Sequence, residues 1–349
     1  MASMRSLSCA TLAVVAACSS GSNKSTTWVD GGHRDSAPDA LPPYWEPTTG
    51  NVKYWDIQLA APFDLTKGRE MYVLPLWALV PAATTIDYGD GAPVAVPKGA
   101  LADGIANLHV LRPMPKIICQ FGTGSIDLAE PDAKKFPGFE ASPPDDPTPP
   151  KTGSVIGWST TLPANRRWLD VRTAGAALVK PLLAKRMELA KTIGCDGVLP
   201  DNNDMFRLVM NNGSGAPGSG TGFVVPAPIT ITEEQNWYET MAGVAHAAVL
   251  SVGARGDFES FAGFTAPLFD FEIADRCGEL GNCDFTREFA NTHKAVLGLE
   301  YVLDSDGNAQ NVGTTCGGEG TGNTTVNGIV KDVALTGASY YACADFMPQ

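Results

Sequence analysis

Histidine is scarce in this 349-residue chain: His33, His109, His246 and His293 are the full set, and they are scattered. No Cys-x-x-Cys pair occurs either. Zinc sites need such ligands at close spacing, so no zinc site is expected. A Gly-x-Ser-x-Gly elbow is also missing, which removes support for a lipase-type serine nucleophile. The glycine-rich run Gly218-Ser219-Gly220-Thr221-Gly222 lacks the lysine of a phosphate-binding loop and the later glycine of a dinucleotide fingerprint. It reads as a loop. Asp304-Ser305-Asp306-Gly307-Asn308 has its glycine too early for an EF-hand and reads as a turn. No cofactor is expected.

Basic residues are few: 25 Lys and Arg stand against 38 Asp and Glu, a net charge of −13. So acidic a surface repels nucleic acid and anionic lipid and attracts cationic ligands. The apolar run Leu7 to Ala17 is too short to cross a bilayer. It follows Arg5 and ends Val15-Ala16-Ala17-Cys18, followed by Ser19. That pattern reads as an export signal with a bacterial lipobox, residues 1–17, whose cleavage leaves Cys18 to carry lipid. Ser19, with no aspartate beside the anchor, points to the outer membrane of the cell envelope. A plain secretory peptide is the alternative. Residues 18–50 are rich in Ser, Thr, Gly, Pro and Asp and read as a flexible tether, in which Tyr44 and Trp45 could still dock on the domain. Residues 51–349 form the folded domain, expected as a monomer whose sole tie to a membrane is the anchor.

Six cysteines remain after the signal and Cys18. In an oxidising compartment they are expected to pair. Cys277 and Cys283, with five residues between them, are expected to brace a loop. Cys316 with Cys343 is a second candidate, and Cys119 and Cys195 stay open.

Eight short β-like runs recur along the domain, at 54–59, 69–76, 116–121, 196–201, 251–256, 269–275, 295–301 and 338–344. Helix-like or loop segments separate them. Alternation of this kind predicts an α/β fold, a (β/α)₈ TIM barrel built as a single catalytic domain. The clearest helix spans 176–193, with Leu178, Leu182, Met187, Leu189 and Ile193 on its apolar stripe, Arg186 off it, and Gly194 as its stop. A second helix follows Thr232, which opens a Thr-x-x-Gln capping box with Gln235. Insertions at 80–104 and 207–230 follow strands and are expected to shape a groove.

Carboxylates sit at or near the ends of these runs: Asp56, Asp196, Asp201, Asp204, Asp257, Asp275 and Glu300. Acids at the C-terminal ends of barrel strands converge on one pocket. Cutting a glycosidic bond needs two carboxyl groups, one to protonate the leaving oxygen and one to attack or to activate water.

The segments WDIQL (55–59), KIICQFGTGSIDLAEPDAKKFP (116–137), RWLDVR (167–172), CDGVLPDNND (195–204), FDFEIADRCGELGNC (269–283) and LEY (299–301) together resemble glycoside hydrolase family 114. The resemblance implies an endo-acting α-1,4-polygalactosaminidase with retaining chemistry. It maps the fourth-strand nucleophile to Asp201 and the sixth-strand general acid/base to Asp275. Trp55, Gln58, Asp196, Asp204, Arg255 and Glu300 would support the site or bind sugar. The implied partner is a cationic amino-sugar polysaccharide, and Trp55, Trp77, Trp158 and Trp168 offer faces for its rings. The chain departs from the family's usual pattern at Leu199 and Asp275, both commonly Glu, and at Arg255, more often Lys. A surface lipoprotein that binds glycan on the same barrel but is impaired in catalysis is the alternative function.

Overall fold

The computed structural model describes residues 42–81, 84–140, 150–159, 162, 165–208, 216–224, 226–255, 261–319 and 326–346. The export signal, Cys18, most of the expected tether and Asp257 lie outside the described residues. Eight parallel strands run in chain order: β1 (Trp55–Ile57), β2 (Met71–Pro75), β3 (Lys116–Gly122), β4 (Gly197–Asp201), β5 (Ser251–Arg255), β6 (Phe271–Asp275), β7 (Ala295–Tyr301) and β8 (Val326–Lys331). The fold is the expected α/β TIM barrel. β8 meets β1 through side chains. Trp55 Nε1 donates to Asn327 O at 2.8 Å, Asn327 Nδ2 donates to Val52 O at 2.7 Å, and Lys331 Nζ lies 2.7 Å from Asp56 Oδ1.

Period-two alternation divides the core into two layers. Trp55, Ile57, Met71, Val73, Ile118, Leu199, Phe271, Ile273, Leu297, Leu299 and Ile329 fill the barrel. Tyr72, Leu74, Ile117, Cys119, Val198, Val252, Ala254, Ala274 and Val296 face the surrounding helices. Both layers are dry, which is why the strands read as nearly unbroken apolar runs.

The eighth strand differs from the expected one. Tyr341–Ala342 is only a two-residue antiparallel addition to β8. Asn327, Gly328 and Lys331 dilute the apolar signal of the true strand. The second long helix also starts earlier than expected. α2 (Ile231–Ala247), which follows α1 (Thr173–Ile193), is capped by Thr230 and Glu233. Thr230 and Thr232 both begin a capping-box spacing, and the earlier one is used, which lengthens the helix by two residues.

On α1 the buried face runs through Val179, Leu183, Arg186, Met187 and Ala190, while Leu178 is 47% exposed. Met187 and Leu189 are buried as expected, but Leu178 turns outward and Arg186, expected off the stripe, takes a place on the buried face. Arg186 binds Asp132 Oδ1 and Glu130 Oε2, each at 2.7 Å, beneath the rings of Trp77 and Phe136. Gly194, at φ 100°, ends the helix as expected.

The last part of the expected tether belongs to the barrel. Tyr44 stacks on His246 at 4.3 Å, Trp45 packs against Phe271, and Ala295 N donates to Pro47 O. All three cysteine pairs form: Cys119–Cys195, Cys277–Cys283 and Cys316–Cys343.

Candidate active site

The inward alternation of five strands continues past the apolar layers to polar residues at their C-terminal ends. Gln120 follows Ile118 by two, Asp201 follows Leu199, Arg255 follows Gly253, Asp275 follows Ile273, and Tyr301 follows Leu299. The register of β3 on β4 pairs Gly122 with Asp201, and that of β6 on β7 pairs Asp275 with Leu299. The five side chains therefore meet at the mouth of the barrel.

Their contacts form a continuous network. Gln120 Nε2 donates to Asp201 Oδ2 at 2.6 Å. Arg255 Nη1 lies 3.5 Å from the same oxygen, and its Nη2 donates to Asp275 Oδ2 at 3.0 Å. Tyr301 OH donates to Asp275 Oδ2 at 3.3 Å. Both aspartates keep part of their surface open to the mouth, with side chains 17% and 23% exposed. Burial pushes the Tyr301 phenol up, with the Asp275 charge adding to it. Tyr301 is thus a neutral donor.

The corner after Asp201 is tightly held. Asn202 adopts left-handed backbone at φ 59°, and its Oδ1 accepts from Ser125 Oγ and Arg166 Nη1 at 2.7 and 2.9 Å. The carbonyl of Asp201 accepts from Thr123 N. Gly124 must be glycine, because a Cβ there would lie 1.7 Å from Asn202 O. Behind this corner Glu234 of α2 accepts from Phe206 N and Tyr238 OH, and Tyr238 OH also reaches Asn203 O. Burial pushes the Glu234 carboxyl up to about 7. Asp204 is raised as well, chiefly by burial and further by the charge of Asp201.

Other residues expected at the site are used elsewhere. Asp196 precedes β4 at the end opposite Asp201. It accepts from Ile117 N at 3.0 Å and pairs with Lys116 at 2.8 Å. Glu70 before β2 and Asp270 before β6 do the same for Tyr54 N and Val252 N. These acids staple neighbouring strands at the N-terminal rim. Trp55 is fully buried inside the barrel. Gln58 spends its amide on Asp56 Oδ2 and on the backbone of Asp64. Glu300 faces outward and accepts from Gly278 N and Glu279 N, so it caps the helical turn Cys277–Leu280 that follows Asp275. Burial, with the Asp275 charge adding, pushes Glu300 up to about 7. Trp168 and Trp158 are buried and the Trp77 ring stacks on Arg186, so these rings are packing residues. Asp304 closes the expected turn by accepting from Asp306 N and Asn308 N.

Gln120 and Tyr301 escaped the sequence reading. The signal was there: each stands two residues beyond an inward apolar residue, at a strand's C-terminal end.

A parallel barrel whose fourth and sixth strands end in inward carboxylates has the architecture of a glycoside hydrolase. The sequence pattern of glycoside-hydrolase family GH114 matches residues 35–345, and the chain belongs to that family. No curated protein matches the chain. Among solved structures, Ega3 of Aspergillus fumigatus in complex with galactosamine is similar, at 20% identity and a TM-score of 0.62. That likeness covers 86% of this chain and 97% of that one. It is a likeness of fold. The pneumococcal virulence factor StrH is more distant, at 11% identity and a TM-score of 0.48 over 87% of this chain and 82% of that one.

Proposed function

We propose that this glycoside hydrolase cuts α-1,4-linked, galactosamine-containing polysaccharide from within, using Asp201 and Asp275. The observation that carries the reading is the shared guanidinium of Arg255, which draws the two inward carboxylates together at the barrel mouth. Membership of the family and the galactosamine bound by its structural relative support the substrate class. The acidic balance of the chain suits a polymer of ammonium-bearing sugars.

In the retaining form, an oxygen of Asp201 attacks the anomeric carbon while the bond to the leaving sugar breaks. Asp275 gives that leaving oxygen its proton. Asp275 then takes a proton from water as the water oxygen attacks the anomeric carbon and frees Asp201. Gln120 Nε2, bonded to Asp201 Oδ2, holds that carboxyl group in place for the first step. The protein works outside the cytoplasm, anchored through lipid on Cys18.

The second reading is a glycan-binding barrel with impaired catalysis. It is favoured by the contacts of Asp275, whose Oδ2 is taken up by Arg255 Nη2 and Tyr301 OH. The test is release of reducing ends from polygalactosamine by the purified protein, with Asp201→Asn as control. Release that vanishes in the control supports the hydrolase, whereas binding of the polymer with no release supports the second reading.

A further inference from the structure

We infer that Arg276 is a specificity-determining residue that reserves the leaving-sugar side of the cleft for an N-acetylated galactosamine, whose acetamide it recognises. The inference deepens the proposed function and rests on its reading of Asp275 as the acid. A general acid must stand within hydrogen-bond reach of the leaving oxygen, so the residues around Asp275 border the sugar that departs.

Arg276 is the next residue along the chain, and it takes left-handed backbone at φ 58°. That conformation is costly for a residue other than glycine, asparagine or aspartate. The fold holds it there. Arg276 N donates to Leu299 O at 2.8 Å, the Cys277–Cys283 disulfide closes the turn that follows, and Glu300 caps that turn. Strain of this kind gathers at ligand sites. The guanidinium lies over the Tyr301 ring, 4.2 Å from its centroid, while the hydroxyl of the same ring reaches Asp275. A cation thus stands across one phenol ring from the acid, and its side chain keeps 23% of its surface open.

Among the described residues, Arg276 hydrogen-bonds protein acceptors through Nη1, to Glu279 Oε2 and to Leu303 O. Its other N–H groups are left for a ligand. Both oxygens of Glu279 are engaged, Oε1 by Ser305 N and Oε2 by Gln310 Nε2 as well as by Arg276. The ion pair is neutral as a whole, so the choice of sugar falls to hydrogen-bond complementarity. Two exposed leucines are tied to the same arginine. Leu280 N donates to the Arg276 carbonyl and Leu303 lends its own carbonyl to the guanidinium, and the two residues are 59% and 37% exposed. Guanidinium N–H groups beside apolar side chains match an acetamide, which offers a carbonyl acceptor and a methyl group. A sugar ammonium has three donors and no acceptor, so beside Arg276 it would lose hydration without gaining a partner. One hydrogen bond to a charged group is worth a preference of about tenfold or more.

The experiment reads where the polymer is cut. Partly N-acetylated α-1,4-galactosamine polymer of known composition is digested with the native protein, and the fragments are sequenced by tandem mass spectrometry. The sugar at each new non-reducing end occupied the leaving side. The odds of finding N-acetylgalactosamine there should exceed those of the polymer by about tenfold. Arg276→Asn suits the left-handed backbone and removes the guanidinium, so it should return the ends to the polymer's composition. A merely structural role would slow cutting and leave the ends unchanged. Ends that follow the composition in the native protein overturn the inference, and so does an enrichment that survives in folded Arg276→Asn.

A second measurement needs no turnover. Arginine is labelled with ¹⁵N, and the Arg276 Nε signal is identified by its loss in Arg276→Lys. A fully N-acetylated galactosamine tetramer should shift that signal, and the same concentration of the deacetylated tetramer should not. Equal shifts with both, or none with either, overturn the inference. A protein that cuts no polymer would refute the proposed function, and this titration would still decide the inference. It also decides should Arg276→Asn fail to fold.

Discussion

Lys331 Nζ lies 2.7 Å from Asp56 Oδ1, with both side chains buried, and so joins the last strand of the barrel to the first. Gln58 Nε2 donates to the other oxygen of Asp56. Breaking such a pair from one side leaves a buried charge unmatched, at a cost of about 3–5 kcal/mol. Lys331→Met should therefore lose roughly that much stability in urea unfolding. Asp56→Asn added to Lys331→Met keeps the acceptor for Gln58, removes the orphan charge and should restore most of the loss. If the double variant is no more stable than Lys331→Met, the pair does not close the barrel as described.

Asp201→Asn should leave the fold intact and abolish nearly all turnover, because Gln120 can still bond the side chain but no anion remains to attack. Asp275→Asn should lose about 10²–10⁴-fold on the polymer and far less on an aryl glycoside with a good leaving group. Nuclear magnetic resonance of the first-formed product gives the stereochemical outcome. Inversion would keep the pair and make Asp201 a base. Native-like turnover in a folded Asp201→Asn protein would end the assignment.

Glu272 is fully buried on the outer face of β6 between Ala254 and Val296, and neither of its carboxyl oxygens has a hydrogen-bond partner among the described residues. Burial pushes it up to about 8 from an ordinary 4.5. The folded protein thus holds this proton more tightly than the unfolded chain does. Its contribution is whole below pH 4.5 and is lost as pH rises toward 8, at roughly 1.4 kcal/mol per unit at most. Glu272→Met should flatten the fall in urea midpoint across that window and be the more stable protein at its alkaline end. Parallel profiles for the two proteins would show that Glu272 does not carry a buried proton.

The proposed lipid anchor is Cys18, at the end of the short apolar run. In a bacterial host, Cys18→Ser should abolish acyl labelling and release the protein from the membrane fraction. Labelling and fractionation that do not change would rule out the lipoprotein.

Seven of the eight strands could be read from the chain because parallel barrel strands are dry on both faces and so appear as short apolar runs. Their direction was also in the order of residues and offered seven candidate acids, from which the resemblance to glycoside hydrolase family 114 singled out Asp201 and Asp275. The local spacing of Cys277 and Cys283 was enough to anticipate their pairing. What the sequence could not determine depends on partners far along the chain. Val326–Lys331 became a strand because a lysine that looks like an exposed end is neutralised by Asp56, 275 residues away. Arg186 entered the core for the same reason, matched by Asp132 and Glu130. Asp196 and Asp201 stand five residues apart, one just before β4 and one at its end, yet one staples the rim and the other enters the pocket. Periodicity and chain direction are local and are written in the sequence. The neutralisation of a buried charge is a property of the folded state alone, and it decided which acids were left for chemistry.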